Sequence, residues 1–197
     1  MERIAIFGPN PVLTVTVEGH QNAPDDIHLH AGGQGVWVTR MAGEMGAHPV
    51  LCGFVGGETG AVVESLLARL PGEQRLVRTA ATSGCYVIDR RSGTRELVSQ
   101  ALSSPPTRHE VDDLFSVTCA AALDSEVLVV CNPYAGETLP LAVYGDLVAD
   151  AESNGTQALV DLSSPRLDSA LQGRPSIVKI NDGSARRIRL TVALGGL

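Results

Sequence analysis

Apolar residues fall along this chain in two alternating rhythms. Short continuous runs at residues 3–8, Pro49–Val55, Val127–Cys131, Ala158–Leu162 and Ile177–Lys179 have the length and β-branched content of buried strands. Between them lie stretches of helical period. Trp37, Met41 and Met45 recur every four residues and predict a helix over 34–45, closed by Gly46. Val62, Val63, Leu66, Leu67 and Leu70 predict a second, ended by Pro71-Gly72. Thr107-Arg-His-Glu110 is a capping box, and Val111, Leu114, Phe115, Thr118 and Ala122 line one side of the helix it opens. Further helical patterns cover 140–153 and 166–172. Strands alternating with helices predict a parallel sheet with covering helices.

Four stretches break that alternation. Residues 12–18 alternate with period two, and a short strand follows at 27–30. Residues 84–90 and 94–99 repeat this chemistry around the hairpin turn Arg91-Ser92-Gly93. Their polar faces do not suit a sheet buried on both sides, so they predict a small antiparallel flap beside it, inserted in one domain.

The flap leads into His30-Ala-Gly-Gly-Gln-Gly-Val-Trp37, a glycine-rich turn that runs straight into a helix. Glycines let a ligand approach the backbone closely, and the free N–H groups of the helix start favour an anionic or polyhydroxyl ligand. Gln34 is placed to hydrogen-bond a sugar hydroxyl or to face solvent, and Trp37 to enter the core or to offer a stacking surface. His28 and His30 share one strand face, but no third metal ligand lies nearby in sequence. Asp161 closes a predicted strand at its C-terminal end, where open α/β sheets place ligands, and is a candidate for holding Mg²⁺ or water near phosphates.

Composition narrows the class. The chain has 197 residues, 44% hydrophobic and 19% charged, with a formal net charge of −7. That charge argues against nucleic acid or an anionic membrane surface as the main partner. No stretch is long and apolar enough to span a bilayer, and the start reads as a strand instead of a signal peptide, so a cytoplasmic protein is expected. The cysteines Cys52, Cys85, Cys119 and Cys131 form no C-x-x-C pair and are expected to be structural thiols.

The ordered pieces resemble the PfkB, ribokinase-like carbohydrate kinases, and among them the 1-phosphofructokinase and tagatose-6-phosphate kinase branch. The matching pieces are Asn10-Pro11, Ala31-Gly-Gly-Gln-Gly35, Gly53-Phe-Val-Gly-Gly-Glu-Thr-Gly60, the hairpin at Gly93-Thr94, the strand at 127–131 and Val178-Lys-Ile-Asn181. The resemblance covers roughly residues 3–182. It implies a three-layer α/β/α sandwich with a small β-sheet lid, and transfer of the γ-phosphoryl group of ATP to a sugar or sugar-phosphate hydroxyl with Mg²⁺.

The resemblance also assigns roles. Thr14, Gly32, Gly33, Gln34, Trp37 and Ser83 fall at substrate positions, and Lys179 and Asn181 on the nucleotide side. Several of these depart from the family pattern. Thr14 stands where an Asp is usual, Gln34 where a Lys is, Trp37 where an Asn is, and Ser83 near a phosphate-binding Arg. Losing Lys and Arg removes charge-assisted contacts to a phosphate, which favours a neutral polyol or a nucleoside-like ligand. The family's catalytic Gly-Ala-Gly-Asp segment is absent, and residues 183–197 form an atypical basic tail. The chain therefore reads as a ribokinase-like domain over 1–182 without its C-terminal part, inactive by itself. The alternatives are a non-catalytic sugar- or nucleoside-binding domain, which could dimerise through the lid, and a truncated reading frame with no function of its own.

Overall fold

A computed structural model describes residues 2–134 and 139–180. The chain runs β1 (Arg3–Phe7), β2 (Val12–Glu18), β3 (Asp26–Gly32), α1 (Gln34–Glu44), β4 (His48–Gly56), α2 (Gly57–Leu67), β5 (Glu73–Thr79), β6 (Cys85–Asp89), β7 (Glu96–Ala101), α3 (Arg108–Leu123), β8 (Val127–Cys131), α4 (Ala142–Ser153), β9 (Gln157–Asp161), α5 (Arg166–Gln172) and β10 (Ile177–Lys179).

Six strands form one parallel sheet in the order β10-β9-β8-β1-β4-β5. The apolar runs supply its centre, because a strand buried on both faces needs apolar side chains at every position. Ala5, Phe7, Val50 and Cys52 point to one face and pack against Leu114 of α3, Tyr144 and Leu147 of α4, and Leu167 of α5. Phe7 meets Tyr144 edge to face, with ring centroids 5.9 Å apart. Ile6, Leu51 and Val55 point to the other face, under Val36 of α1 and Val63 and Leu67 of α2. These are the three layers of an α/β/α sandwich. The capping box forms as the sequence predicts: the Glu110 amide donates to the Thr107 side chain, and the Thr107 amide donates back to the Glu110 carboxylate.

A second sheet stands beside the first, in the order β3-β2-β6-β7. β2 pairs antiparallel with β3 and parallel with β6, and β7 returns antiparallel on β6 with a register shift after Val87. Its base is sealed to the main body: Leu13 and Ala31 enter the same core as α1 and α2. Farther out, β3 up to His30 and all of β7 are exposed, while Thr16, Tyr86 and Ile88 on the two central strands stay buried. The main sheet also holds a strand that the apolar pattern does not predict, β5, which pairs with β4 at the sheet edge and carries Glu73, Arg75 and Arg78. An edge strand with one open side tolerates such charge.

Candidate functional site

The glycine turn joins the lid to the body. β3 ends at Gly32, and Gly33 takes φ 110°, a left-handed conformation that a side chain resists. Gly35 then lies against β1's end so closely that a Cβ would stand 2.6 Å from the Gly8 Cα. That contact lets α1 start directly over the C-terminal ends of the central strands, where open sheets form their crevice.

Helix α1 is rotated relative to the expectation from its bulky stripe. Gly35, Val36 and Thr39 face the body, whereas Trp37, Met41 and Met45 are 59, 61 and 81% exposed. The close approach at Gly8 and the packing of Gly43 under Pro71 admit only small side chains on the inner face. The bulky residues are therefore turned outward, and Trp37 is not a core residue.

Trp37 forms one wall of a cleft of about 420 Å³ between α1 and the lid. On β2, Thr14, Thr16 and Glu18 share one face by the two-residue period and line this cleft. His30, Gly32 and Gly33 form its floor near the turn, and Ile88, Arg90 and Arg95 extend it along the second lid pair. Tyr134 closes the body side and meets Tyr86 edge to face at 4.8 Å. His28 and His30 are stacked with centroids 6.0 Å apart. Of the expected substrate residues, Thr14, Gly32, Gly33 and Trp37 thus come together.

Gln34 and Ser83 sit elsewhere. Gln34 turns away from the cleft toward the sheet. Its Nε2 donates to Asp161 Oδ2 at 2.5 Å, and its Oε1 accepts from the Asn132 amide at 2.7 Å. Lys179 Nζ approaches the same Asp161 oxygen at 2.5 Å, and Asn132 Oδ1 accepts from Ser163 Oγ at 3.2 Å. One network thus ties the glycine turn to the ends of β8, β9 and β10. Ser83 is 8% exposed and holds the second glycine block. Its Oγ accepts from the Gly56 amide at 3.2 Å, and its carbonyl accepts from Thr59 Oγ1 at 2.6 Å. The space it borders, with Asn10, Phe54 and Ser103, is only about 20 Å³, room for a water and not for a sugar. Asn181 lies outside the described residues, as does the tail at 183–197.

Two of the four thiols, Cys52 and Cys131, are buried, and Cys85 and Cys119 are half-buried. Burial pushes Cys52 and Cys131 up to about 12, so both stay protonated at neutral pH. No helix among the described residues is long and apolar enough to cross a membrane.

No family model matches the sequence. Solved structures do match the fold. A point mutant of Escherichia coli phosphofructokinase-2 superposes with a TM-score of 0.77 at 21% identity, over 95% of this chain and 63% of that one. A candidate 1-phosphofructokinase from Thermotoga maritima gives 0.73 at 18% identity, over 91 and 60%. A candidate ribokinase from Agrobacterium tumefaciens gives 0.66 at 15% identity, over 94 and 61%. The fold is ribokinase-like. It is the fold of the PfkB sugar kinases, and the chain spans about three fifths of the length of these ribokinase-like structures.

Sequence reasoning missed the basic part of the cleft. Arg40, Arg90 and Arg95 all line it. The signal was available for Arg40, which follows Trp37 by three residues and so shares its helix face. Arg90 and Arg95 flank the hairpin turn, and only the pairing of β6 with β2 brings them over the turn.

Proposed function

We propose that this chain carries the sugar-binding side of a PfkB-type carbohydrate kinase, whose reaction is ATP-dependent phosphoryl transfer to a sugar or sugar-phosphate hydroxyl. One observation carries the reading: the lid and the glycine turn together enclose a cleft with hydroxyl, imidazole and indole groups on its walls. Hydroxyls on β2 suit the hydroxyls of a sugar, and an indole face suits the apolar face of its ring. E. coli phosphofructokinase-2, which shares the fold, has been solved with fructose-6-phosphate.

Asp161 and Lys179 belong to the nucleotide side in this proposal. They end adjacent parallel strands and face one another. The donors of Gln34 and Lys179 both meet Oδ2 of Asp161, so among the described residues Oδ1 remains available. The described residues hold no cluster of three metal-ligating side chains. That donor set fits Mg²⁺, which takes one or two carboxylates and completes its shell with water and substrate phosphates. Asp161 would hold the ion, Lys179 would place a positive charge by the phosphates, and the ion would neutralise phosphate charge. Asn181 is proposed alongside Lys179.

Phosphoryl transfer needs an anion hole and a base, and the 197 residues contain no Gly-x-Gly-Asp segment. This chain alone therefore binds without transferring. The lid adds a second element. Its face opposite the cleft carries Val15, Val17, Ile27, Leu29 and Val87; Val15 packs against the core at the base, whereas Ile27 and Leu29 are exposed. We assign this face to a second copy of the chain. The test is a thermal-shift and calorimetric screen of sugars, sugar phosphates and nucleosides, with and without Mg-ATP, beside a coupled ADP-release assay. Saturable sugar binding without ADP release is expected. Nucleoside binding in the absence of sugar binding overturns the sugar reading, and ATP-dependent sugar phosphorylation overturns the inactivity.

A further inference from the structure

The cleft is long, and its two ends differ in chemistry. Thr14, Thr16 and Glu18 share one face of β2, and all three line it. From Thr14 to Glu18 is four residue steps of extended strand, about 13 Å. That is longer than one sugar ring with its hydroxyls. β6 runs beside β2 with Tyr86 opposite Thr14 and Ile88 opposite Thr16. The same register carries Arg90 out to Glu18, so the far end of the cleft holds Glu18, Arg90 and Arg95.

The end at the glycine turn is aromatic. The chain has seven Phe, Trp and Tyr residues, all among the described ones, and only Trp37 and Tyr134 are exposed. Both line this cleft. Each is also held by a neighbour. The Arg40 guanidinium lies over the Trp37 ring at 5.2 Å from its centroid, and Tyr86 meets Tyr134 edge to face at 4.8 Å. Rings fixed in this way meet a ligand at little cost in side-chain freedom. The far end is polar instead. Glu18 and Arg90 pair at 3.2 Å. A carboxylate beside a guanidinium accepts and donates at neighbouring points, which suits adjacent hydroxyls, since each hydroxyl can do both.

We infer that this cleft takes a disaccharide. One ring lies at the glycine turn against Trp37 and Tyr134, its hydroxyls toward Thr14. The second lies farther out on the lid by Thr16 and Ile88, its hydroxyls toward Glu18, Arg90 and Arg95. The inference rests on the reading of the cleft as a sugar site and adds the length of the ligand. The volume of about 420 Å³ accommodates such a molecule, within the range of sites for drug-sized ligands. A single ring engages one end and leaves the groups of the other to water. Glu18 and Arg95 therefore decide between one ring and two, because only the second ring reaches them. Trp37 decides whether a ring is held at all.

The experiment is calorimetric titration of the 197-residue chain with maltose, sucrose and lactose and with their constituents glucose, fructose and galactose, repeated with Arg95→Gln, Glu18→Gln and Trp37→Ala. Arg95 is exposed just after the hairpin turn, so its variant keeps the test valid if another fails to fold. At least one disaccharide is expected to bind about tenfold tighter than either of its constituents, the worth of one hydrogen bond to a charged group. Arg95→Gln and Glu18→Gln should each remove most of that advantage, whereas Trp37→Ala should weaken monosaccharides and disaccharides alike. Monosaccharides that bind as tightly as every disaccharide overturn the inference and leave the sugar reading standing. A disaccharide advantage that survives both Arg95→Gln and Glu18→Gln overturns the placement of the second ring. Absence of binding by all six sugars overturns both readings.

Discussion

Gln34 and Asp161 lie 127 residues apart in sequence and meet side chain to side chain, Nε2 to Oδ2, at 2.5 Å. The amide is used at both ends, because its oxygen also accepts the Asn132 N–H. A glutamine is suited to this place. A lysine could donate to Asp161, but it would leave the Asn132 amide without an acceptor and set a second cation beside Lys179. Gln34→Leu should therefore leave the Asn132 amide without its acceptor, with Asp161 still held by Lys179, and destabilise the chain by about 1–3 kcal/mol. Chemical denaturation with a shifted midpoint and an unchanged slope would read this directly. An unchanged midpoint would mean that the network contributes nothing to stability.

The approach of Gly35 to Gly8 makes a sharper test of the turn. A methyl group at position 35 would meet the Gly8 Cα at 2.6 Å, and backbone cannot move aside as a side-chain tip can. Gly35→Ala should cost about 1–3 kcal/mol, the usual range for overpacking. Gly46→Ala is a useful contrast: open space surrounds that position, and its penalty comes from φ of +88° alone. Thermal melts of the two variants should separate crowding from backbone strain. Equal losses would mean that the Gly8 contact is not limiting.

The parts of this fold legible in the sequence are those where side-chain period and burial coincide. Val127–Cys131 reads as a strand because both faces are covered. The box at Thr107 and Glu110 reads as a helix start because it is a local hydrogen-bond motif. β5 is not legible, because its charges, Glu73 with Arg3 and Arg75, satisfy one another at the sheet edge and imitate a loop. The inner face of α1 escapes the pattern for a related reason. Apolar bulk predicts the buried side only where there is room for bulk, and Gly8 and Pro71 leave none. For the site, the glycine motif lies at the floor of the cleft, but it cannot reveal Arg90 and Arg95. Those depend on the parallel pairing of β2 with β6, a contact between residues some seventy positions apart.

The lid face makes a prediction about association. Val15 pairs with Leu29 and Val17 with Ile27, so these side chains form one apolar surface. Its outer part is uncovered, with Ile27 at 68% exposure. Leu29→Lys should convert a dimer to a monomer in light scattering while leaving the melting temperature of the monomer nearly unchanged, since surface substitutions usually stay within about 0.5 kcal/mol. A monomeric parent chain at high concentration would remove the second copy from the proposal.

Acid should unfold the lid hairpin late. The Arg91 side chain, helped by the Arg91 amide, holds Asp89 at about 2 against an ordinary 3.8. Glu110 is lowered by the amides of Thr107 and Ala80, and Glu73 chiefly by its hydrogen bond from Arg75. Each of these groups binds protons more weakly folded than unfolded. Each contribution is therefore fully present above the ordinary carboxylate value and is lost as pH falls through the folded one. The melting temperature should be flat from neutral pH to about 5 and decline between about 4 and 2. Asp89→Asn tests the assignment. The variant should melt below the parent at about pH 7 and converge with it near about pH 2, because protonation then removes from the parent what the substitution has already removed. A constant gap between the two curves across that range would show that Asp89 acts through packing and not through its charge.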